Sequence, residues 1–284
     1  MPENTNQRVA ERLREAADLL GAQGANPFRV SAYRKAADTV RDLDRDLGAM
    51  VREGGEEALT DLPNIGTGIA SAIREIVTTG RWSQLERLRG SLDPEGLLAT
   101  LPGIGPKLAE RIHDELHIES LEQLEAAAHE GSLEKVPGVG ARRAESVRAT
   151  LAARLGRQTR RSRRDARNSP GVKLLLEVDA DYREKADAGD LPTIAPKRFN
   201  PEGRSWLPIM HADREGWHFT ALYSNTARAH DLGKTGDWVV VYFYDADHEE
   251  GQHTIVTETR GPLEGRRVVR GREAECRDYY GVSG

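Results

Sequence analysis

The chain has 284 residues and a formal net charge of −5 at pH 7, with 31% charged and 38% apolar residues. This length suits about two globular domains. The sequence has no apolar run of roughly 18 residues, so we expect no membrane-spanning helix. The single cysteine, Cys276, excludes an internal disulfide and a cysteine-clustered zinc site. The polar segment at residues 2–6 lacks the apolar core of a signal peptide, so we expect an intracellular, cytoplasmic protein.

The first segment carries helix signals. Apolar residues recur at helical spacing from Val9 to Leu20, and glycines follow them. The pair Asn26-Pro27 is favourable for an N-cap and first turn, so a second helix is predicted from there. A turn is expected at 47–51, and a short helix near 82–88.

Three short segments then repeat one pattern of an apolar residue, a proline, a turn residue, an aliphatic residue and a glycine. A helix-like run follows each segment, which predicts a tight hairpin between two helices. The repeats are Leu62–Gly66, Leu101–Gly105 and Val136–Gly140, and the helices predicted after them are Thr67–Thr79, Pro106–Glu115 and Ala141–Leu155.

Such a hairpin suits phosphate binding, because a glycine turn that opens a helix leaves backbone N–H groups pointing outward. The helix dipole adds partial positive charge there. Contacts made by the backbone can hold DNA without reading its sequence. The second and third repeats start 35 residues apart with a helix predicted at 120–129 between them, which indicates a tandem unit. Residues 1–156 carry 20 basic and 25 acidic residues, so DNA binding there depends on where the charges lie.

The composition changes after residue 156. Residues 157–168 contain six arginines and one aspartate, which fits a solvated linker or a basic strap that binds phosphates. Alternating apolar residues predict strands at 205–211, 217–223, 237–244, 253–259 and 266–270. Short helices are predicted from Asn225 to Leu232 and from Gly271 to Tyr280.

Segments 24–29, 32–37, 62–66, 79–80 and 101–107, in this order and spacing, carry a family resemblance. Through them the first 155 residues resemble the N-terminal part of the X-family DNA polymerases, especially the bacterial ones. In that family a lyase-type domain precedes a fingers region with helix-hairpin-helix motifs.

The resulting fold class is multi-domain α plus α/β. An all-α helix-hairpin-helix half is followed by an Arg-rich linker and a small mixed α+β domain. The expected divisions are a lyase-type domain with the first hairpin, a tandem hairpin domain, a basic linker and a C-terminal domain of unknown function, at 1–90, 91–156, 157–169 and 170–284.

The resemblance implies a set of DNA contacts. Arg29, Tyr33 and Lys35 fall where the family lines a pocket for a 5′-phosphate. The positions implied to face phosphates are Gly66, Thr67, Gly68, Gly103, Gly105, Lys107, Gly138, Gly140, Arg142 and Arg143. No organic cofactor is expected. The family implies a monovalent cation, Na⁺ or K⁺, at the hairpin carbonyls of Leu62, Ile65, Leu101 and Ile104.

Two departures from the family argue against catalysis. The lysine positions of the lyase-active members are Gly68 and Ala72 here, so the amine that would form a Schiff base is missing. A polymerase palm needs a carboxylate cluster for two metal ions, and its motifs are not found after the third hairpin. Asp179 and Asp181 are the only candidate pair, and helix capping explains them better.

The leading interpretation is a non-catalytic, sequence-nonspecific DNA-binding protein of DNA repair, associated with the nucleoid. It would recognise gapped, nicked or structured DNA, and residues 170–284 would recruit a protein partner, hold DNA or serve a role that the sequence does not reveal. The alternative is a nuclease or nucleotidyl-transfer enzyme with its site in the C-terminal half, where the candidates are Glu177, Asp179, Asp181, His218, Glu258 and Glu273. A third reading is a protein scaffold with degenerate hairpins.

Overall fold

The computed structural model describes residues 5–91, 93–119, 121–155, 169–245 and 250–282. The N-terminal half is helical, and the C-terminal half holds a six-stranded sheet with helices, so the expected multi-domain α and α/β architecture is confirmed. Within these ranges, no helix is both long enough and apolar enough to cross a membrane.

The helices and strands divide the chain into a helical N-terminal half and a C-terminal half that contains the sheet. The helical half comprises α1 (Thr5–Ala22), α2 (Pro27–Arg41), α3 (Leu47–Gly54), α4 (Glu57–Thr60), α5 (Thr67–Thr79), α6 (Ser83–Arg89), α7 (Pro94–Leu98), α8 (Pro106–Leu116), α9 (Leu121–Glu130) and α10 (Ala141–Leu155). The C-terminal half comprises α11 (Val172–Ala188), β1 (Thr193–Ile194), β2 (Leu207–Arg214), β3 (Trp217–Tyr223), α12 (Ala227–Asp231), β4 (Val239–Tyr244), β5 (Gly251–Thr257), β6 (Arg267–Val269) and α13 (Glu273–Tyr280).

The first two helices pack side by side and bury the apolar stripes predicted for them. The Asn26 side chain accepts a hydrogen bond from the Phe28 N–H at 2.9 Å, which confirms the predicted cap. The turn expected at 47–51 is wrong, because α3 occupies this stretch. Its N-cap is Asp46, whose carboxylate accepts from the Ala49 N–H at 2.8 Å, a capping signal that the sequence reading overlooked.

The helices after the three hairpins are confirmed. Helices α5 and α10 have the predicted bounds, and α8 runs one residue further than expected. Helix α9 lies between the second and third hairpins, as the tandem arrangement predicted. The buried residues from Leu97 to Leu151 form a hydrophobic core of their own, so α7 to α10 pack as one compact unit.

The C-terminal sheet is a simple meander in which each strand pairs antiparallel with the next, in the order β1 to β6. Glu215 and Gly216 connect β2 to β3 with φ values of 51° and 81°. A two-residue hairpin turn with positive φ at both positions matches the twist of the strands it joins. Helix α11 packs against this sheet and against α13.

Two expectations about the C-terminal helices need correction. Residues 172–188 form one continuous helix, so Asp179 and Asp181 lie within it and do not cap a helix that begins at Tyr182. The N-cap of α12 is Thr226, whose hydroxyl accepts from the Ala229 N–H at 3.1 Å, and not Asn225. The two candidate caps are adjacent, and only the geometry distinguishes them.

The C-terminal sheet packs directly on the first helical domain. Buried residues from α1 to α6 and from α11 to α13 belong to one continuous apolar cluster, separate from that of α7 to α10. The His211 Nε2 lies 3.0 Å from the Gln23 Oε1 across this contact. The basic linker expected at 157–169 falls almost entirely on residues 156–168, outside the described ranges, and stays a prediction.

Tyr182 provides a test of how α11 is fixed to the sheet. Its buried hydroxyl donates to the Pro208 carbonyl at 3.0 Å and accepts from the Tyr223 N–H at 2.9 Å. Tyr182→Phe leaves both backbone groups without this partner, so we expect the free energy of unfolding to fall by about 1–3 kcal/mol. Urea denaturation measures it. The exposed Tyr279→Phe is the matched control, and equal stability of the two variants would refute the assignment.

Candidate nucleic-acid interface

The three hairpins share one backbone geometry. The middle turn residue has positive φ in each, with 62° at Asn64, 84° at Gly103 and 92° at Gly138. Asparagine and glycine tolerate this conformation better than other residues, which explains the turn residues at these positions. Each turn is closed by a backbone hydrogen bond to the carbonyl three residues earlier, 2.9 to 3.3 Å long.

Burial of the aliphatic residues holds each hairpin against its own helices. Ile65, Ile104 and Val139 are buried, whereas the glycine that follows each of them is exposed. Gly66 and Gly105 adopt extended backbone, and no side chain caps the helices that start after them. The start of α5 therefore lies next to an exposed glycine, and an anion can accept from N–H groups there. Helix α8 begins with Pro106, which has no N–H, so its first backbone donor is that of the exposed Lys107.

The second and third hairpins belong to the same compact unit, and three of their four glycines stand in open space, Gly138 being close to the Arg111 guanidinium. A Cβ added at Gly103, Gly105 or Gly140 would have no atom within 4 Å. Lys107 and Arg142 are exposed on the first turns of the helices that follow. An open glycine and a nearby cation therefore occur together at both hairpins.

The third hairpin uses two arginines internally. Arg111 donates to the Pro137 carbonyl at 2.6 Å, and Arg143 donates to the Gly138 carbonyl. Arg143 is thus held against the turn that it follows, while its neighbour Arg142 points its charge into solvent from an exposed position. Phosphate contact by either residue stays a prediction.

The hairpin carbonyls offer ligands of the type that hard cations prefer. The Leu62 carbonyl accepts from Ile65 N–H at 3.3 Å, and the Leu101 carbonyl accepts from Ile104 N–H at 3.1 Å. A carbonyl oxygen has two lone pairs, so each of these retains one. The arrangement fits a monovalent cation at the first and second hairpins, and that cation stays a prediction.

Arg29 and Tyr33 lie together, as the resemblance implied, but the C-terminal sheet covers them. Each is 4% exposed, and the Arg29 guanidinium lies 4.9 Å from the ring centre of Tyr244 in β4. The Tyr33 hydroxyl donates to the Gln84 Oε1 at 2.9 Å. Lys35 is exposed on α2, apart from this cluster.

The first hairpin is partly covered by the same tyrosine. A Cβ added at Gly68, in the first turn of α5, would lie 3.7 Å from the Tyr244 ring. Thr67 is half-buried, and Gly66 remains exposed. Tyr244 was not predicted as part of a site, because no local signal connects a strand residue to a helix far earlier in the chain.

A buried arginine joins this region to the rest of the molecule. Arg87 of α6 is 2% exposed and lies 2.7 Å from Glu250, 3.2 Å from Glu119 and 3.4 Å from the Tyr242 ring centre. Burial opposes its charge, but the two carboxylates outweigh that effect and raise the pKa of Arg87. The Tyr242 hydroxyl donates to Glu119 at 2.5 Å. Burial raises the pKa of Glu119, against the effect of Arg87.

A small, partly open pocket of about 70 Å³ lies beside this arginine, between α8 and the sheet. Its polar lining includes His113, whose pKa burial lowers to about 3, and Arg198, which pairs with Glu95. His113 is therefore neutral here, and Arg87 and Arg198 are paired. Lys197 in the same lining is exposed and has no acidic partner among the ion pairs of the described residues.

The carboxylates proposed for an enzyme do not converge. Asp179 is 1% exposed and forms a bidentate pair with Arg267, at 2.6 and 2.9 Å. Asp181 pairs with Arg214 at 2.6 Å. The other candidates also have charged partners, which are Lys173 for Glu177, Asp213 for His218, and Arg270 for both Glu258 and Glu273. In the described part of the chain, no group of three His, Cys, Asp or Glu side chains could hold a metal ion.

The comparisons with known proteins agree with this geometry. The family described as Helix-hairpin-helix domain matches residues 4–82, and the SAM-like Helix-hairpin-helix tandem matches residues 56–117 and 95–153. The N-terminal half is therefore built from helix-hairpin-helix domains, and these domains indicate DNA binding.

Two curated relatives are DNA polymerases. The chain is 35% identical over 131 residues to the DNA polymerase/3′-5′ exonuclease PolX of Bacillus subtilis (strain 168), covering 45% of the chain and 22% of that protein. It is 24% identical over 209 residues to the DNA polymerase lambda of Arabidopsis thaliana, covering 72% of the chain and 36% of that protein. The chain thus spans about a third or less of these relatives. The resemblance of its N-terminal half to the X-family polymerases is confirmed.

The Asp179–Arg267 pair predicts a structural role for a residue once considered for catalysis. Asp179→Ala removes the bidentate partner of Arg267, which keeps its pair with Asp237 at 2.6 Å, so we expect a loss of about 1.5–3 kcal/mol in the free energy of unfolding. Glu177→Ala on the same helix is the matched control, with an expected loss of about 0–1 kcal/mol. Urea denaturation compares them. A stable Asp179→Ala variant that lost metal-dependent DNA cleavage would instead support the enzyme.

The half-buried histidine His211, at the contact between the first helical domain and the sheet, predicts sensitivity to acid. Burial lowers the pKa of His211 to about 3, below the unfolded value of about 6.5. Its contribution is complete above pH 6.5 and is lost as the pH falls towards 3, because the unfolded chain binds the proton first. We expect His211→Gln to reduce the dependence of stability on pH between 6 and 4 by about 1.4 kcal/mol per pH unit.

Thermal or urea unfolding at several pH values measures how steeply the free energy of unfolding depends on pH. The exposed His129→Gln is the control for removing an imidazole at the surface. An unchanged slope in His211→Gln would show that this histidine is not held neutral in the folded protein.

Proposed function

We propose that this chain is a sequence-nonspecific DNA-binding protein that recognises gapped, nicked or structured DNA in DNA repair. The observation that carries the proposal is the exposure of uncapped helix N-termini at hairpins whose aliphatic residues are buried. Backbone N–H groups bind phosphate oxygens and read no base. The polymerases among its relatives support a role on DNA.

We propose that the second and third hairpins make the main contacts with DNA. Both belong to the unit of α7 to α10, so their spacing is fixed by one core. Gly105 and Gly140 are open, and Lys107 and Arg142 add charge close to them. Two hairpins at a fixed spacing can bind the sugar-phosphate backbone of DNA at two points. A monovalent cation at the Leu101 and Ile104 carbonyls would add positive charge to the second hairpin.

The proposed role does not include lyase or polymerase chemistry. Gly68 and Ala72 provide no amine at the positions of the lyase lysines, and Ala72 is buried. The carboxylates considered as catalytic candidates in the C-terminal half are paired with cations, as described above. We propose that this half serves as a docking domain that fixes the first helical domain and recruits a protein partner, with the whole acting on DNA of the nucleoid in the cytoplasm.

Substituting glutamate for the open glycines tests whether the second and third hairpins bind DNA. Gly105→Glu and Gly140→Glu place a negative charge where a phosphate would bind, without a clash and without positive φ. We expect each to weaken DNA binding about tenfold, the size of one lost charge-assisted contact. Gly236→Glu, at another open and exposed glycine, is the matched control.

Fluorescence anisotropy measures the affinity for gapped, nicked, intact and single-stranded DNA of two sequences at several salt concentrations. Equal affinity for both sequences and a decline with salt are expected for backbone binding. If the hairpin variants bind as tightly as Gly236→Glu, the hairpins are not the interface.

A further inference from the structure

The small pocket between α8 and the sheet is built by two parts of the chain, and we call it the junction pocket. Helix α8 and the residue after it contribute His113 and His117, and the C-terminal half contributes Lys197, Ser224 and Thr226. The proposed DNA contacts use none of these side chains. The pocket measures about 70 Å³, whereas a cavity of about 150 Å³ holds a benzene ring, so its occupant is smaller than an aromatic ring.

The junction pocket contains a buried pair of hydroxyls with one hydrogen to spare. Ser224 is 2% exposed and Thr226 is 3% exposed, and their hydroxyl oxygens lie 3.2 Å apart. The Thr226 oxygen also accepts from the Ala229 N–H at 3.1 Å. Two hydroxyls carry two hydrogens, and the contact between them uses one. The pair therefore retains one O–H donor for a ligand.

The two histidines of the junction pocket present unused nitrogen atoms. The Nδ1 of His113 lies 3.1 Å from the Ile118 carbonyl, which can only accept, so this nitrogen carries the hydrogen. The Nε2 of the neutral ring is then an acceptor. The Nδ1 of His117 is buried and has no hydrogen-bond partner in the described part of the chain. Burial lowers the pKa of His113 to about 3 and that of His117 to about 4, so both rings are neutral near pH 7.

The charges around the junction pocket favour an anion. Lys197 is exposed and lacks an acidic partner among the ion pairs of the described residues. Besides burial, the cation Arg198 lowers the pKa of His113, and Arg228 lowers that of His117. Two histidines four residues apart also have the spacing of a metal-binding pair, but a metal ion would meet the same positive charge. Within the described residues, no third His, Cys, Asp or Glu completes such a metal site.

We propose that the junction pocket binds a small oxyanion that still carries an acidic proton, of the hydrogen phosphate class. Its oxygens accept from the Lys197 ammonium and from the hydroxyl pair, and its O–H donates to the Nε2 of His113. The ligand contacts the tandem hairpin unit through His113 and the C-terminal half through Lys197, so it strengthens the contact between them. This binding involves no DNA and is independent of the proposed function.

Isothermal titration calorimetry of the full chain at about pH 7 compares inorganic phosphate with sulfate. The two ions have the same shape, but sulfate carries no proton at this pH and cannot donate to His113. We expect phosphate to bind about tenfold more tightly than sulfate, the size of one charge-assisted hydrogen bond.

Titration with thymidine 5′-monophosphate distinguishes two sources of this chemistry. Binding of inorganic phosphate alone would identify the ligand as the free ion. Binding of the nucleotide as tightly as phosphate would identify it as a phosphomonoester that extends through the open side of the pocket. Both outcomes support the proposal.

Two substitutions separate the roles of the ligand-binding groups. His113→Asn keeps an N–H donor close to the position of Nδ1 and removes the Nε2 acceptor. We therefore expect it to lose the preference for phosphate while its affinity for sulfate is unchanged. Lys197→Met removes the exposed cation and should weaken the binding of both ions about tenfold. Lys173→Met, at an exposed position on α11, is the matched control and should behave like the unmodified chain.

The proposal is overturned if the unmodified chain binds phosphate no more tightly than sulfate, or gives no saturable heat with either ion. It is also overturned if His113→Asn and Lys197→Met both bind like Lys173→Met. Circular dichroism and a thermal melt establish that each variant is folded. Because Lys197 is exposed, its variant keeps the test decisive even if His113→Asn does not fold. A chain that bound phosphate in this way but bound no DNA would refute the proposed function and leave the junction pocket supported.

Discussion

One buried guanidinium holds the three parts of this molecule in their relative positions. Arg87 extends from the first helical domain to Glu119, at the end of the α7–α8 segment, and to Glu250, at the start of β5. Its face rests on Tyr242, which itself donates to Glu119. Two carboxylates around one buried cation form a satisfied network, which is what makes a buried charge tolerable. Removing Arg87 would leave two carboxylates without a cation where the domains meet.

This junction places the two kinds of hairpin in different environments. The first hairpin adjoins the C-terminal sheet, and Tyr244 contacts the helix that it opens. The second and third hairpins belong to a unit with its own core and face solvent. The same local motif is therefore open to solvent at the second and third hairpins and partly covered by Tyr244 at the first. What the motif contributes depends on the domain that packs beside it.

The sequence predicted those features of the fold that depend on residues close together in the chain. The cap at Asn26, the stripe from Val9 to Leu20 and the bounds of α5 all follow from spacing and turn chemistry within a few residues. The errors also have local causes, such as the overlooked cap at Asp46. The positions of Tyr244 over Arg29 and of Arg267 beside Asp179 were not predictable, since each pair is separated by many residues and joined only by the folded sheet.

The division of the buried apolar residues into two clusters has a consequence for what fixes the tandem hairpins in place. The unit of α7 to α10 shares no apolar cluster with the rest of the described chain. Ion pairs join the two parts instead, and these are Arg87–Glu119, Arg198–Glu95 and Arg228–Glu115. Salt screens exposed pairs such as Arg228–Glu115 much more than a buried one. The orientation of the tandem hairpins at high ionic strength therefore depends mainly on the pair that Arg87 makes.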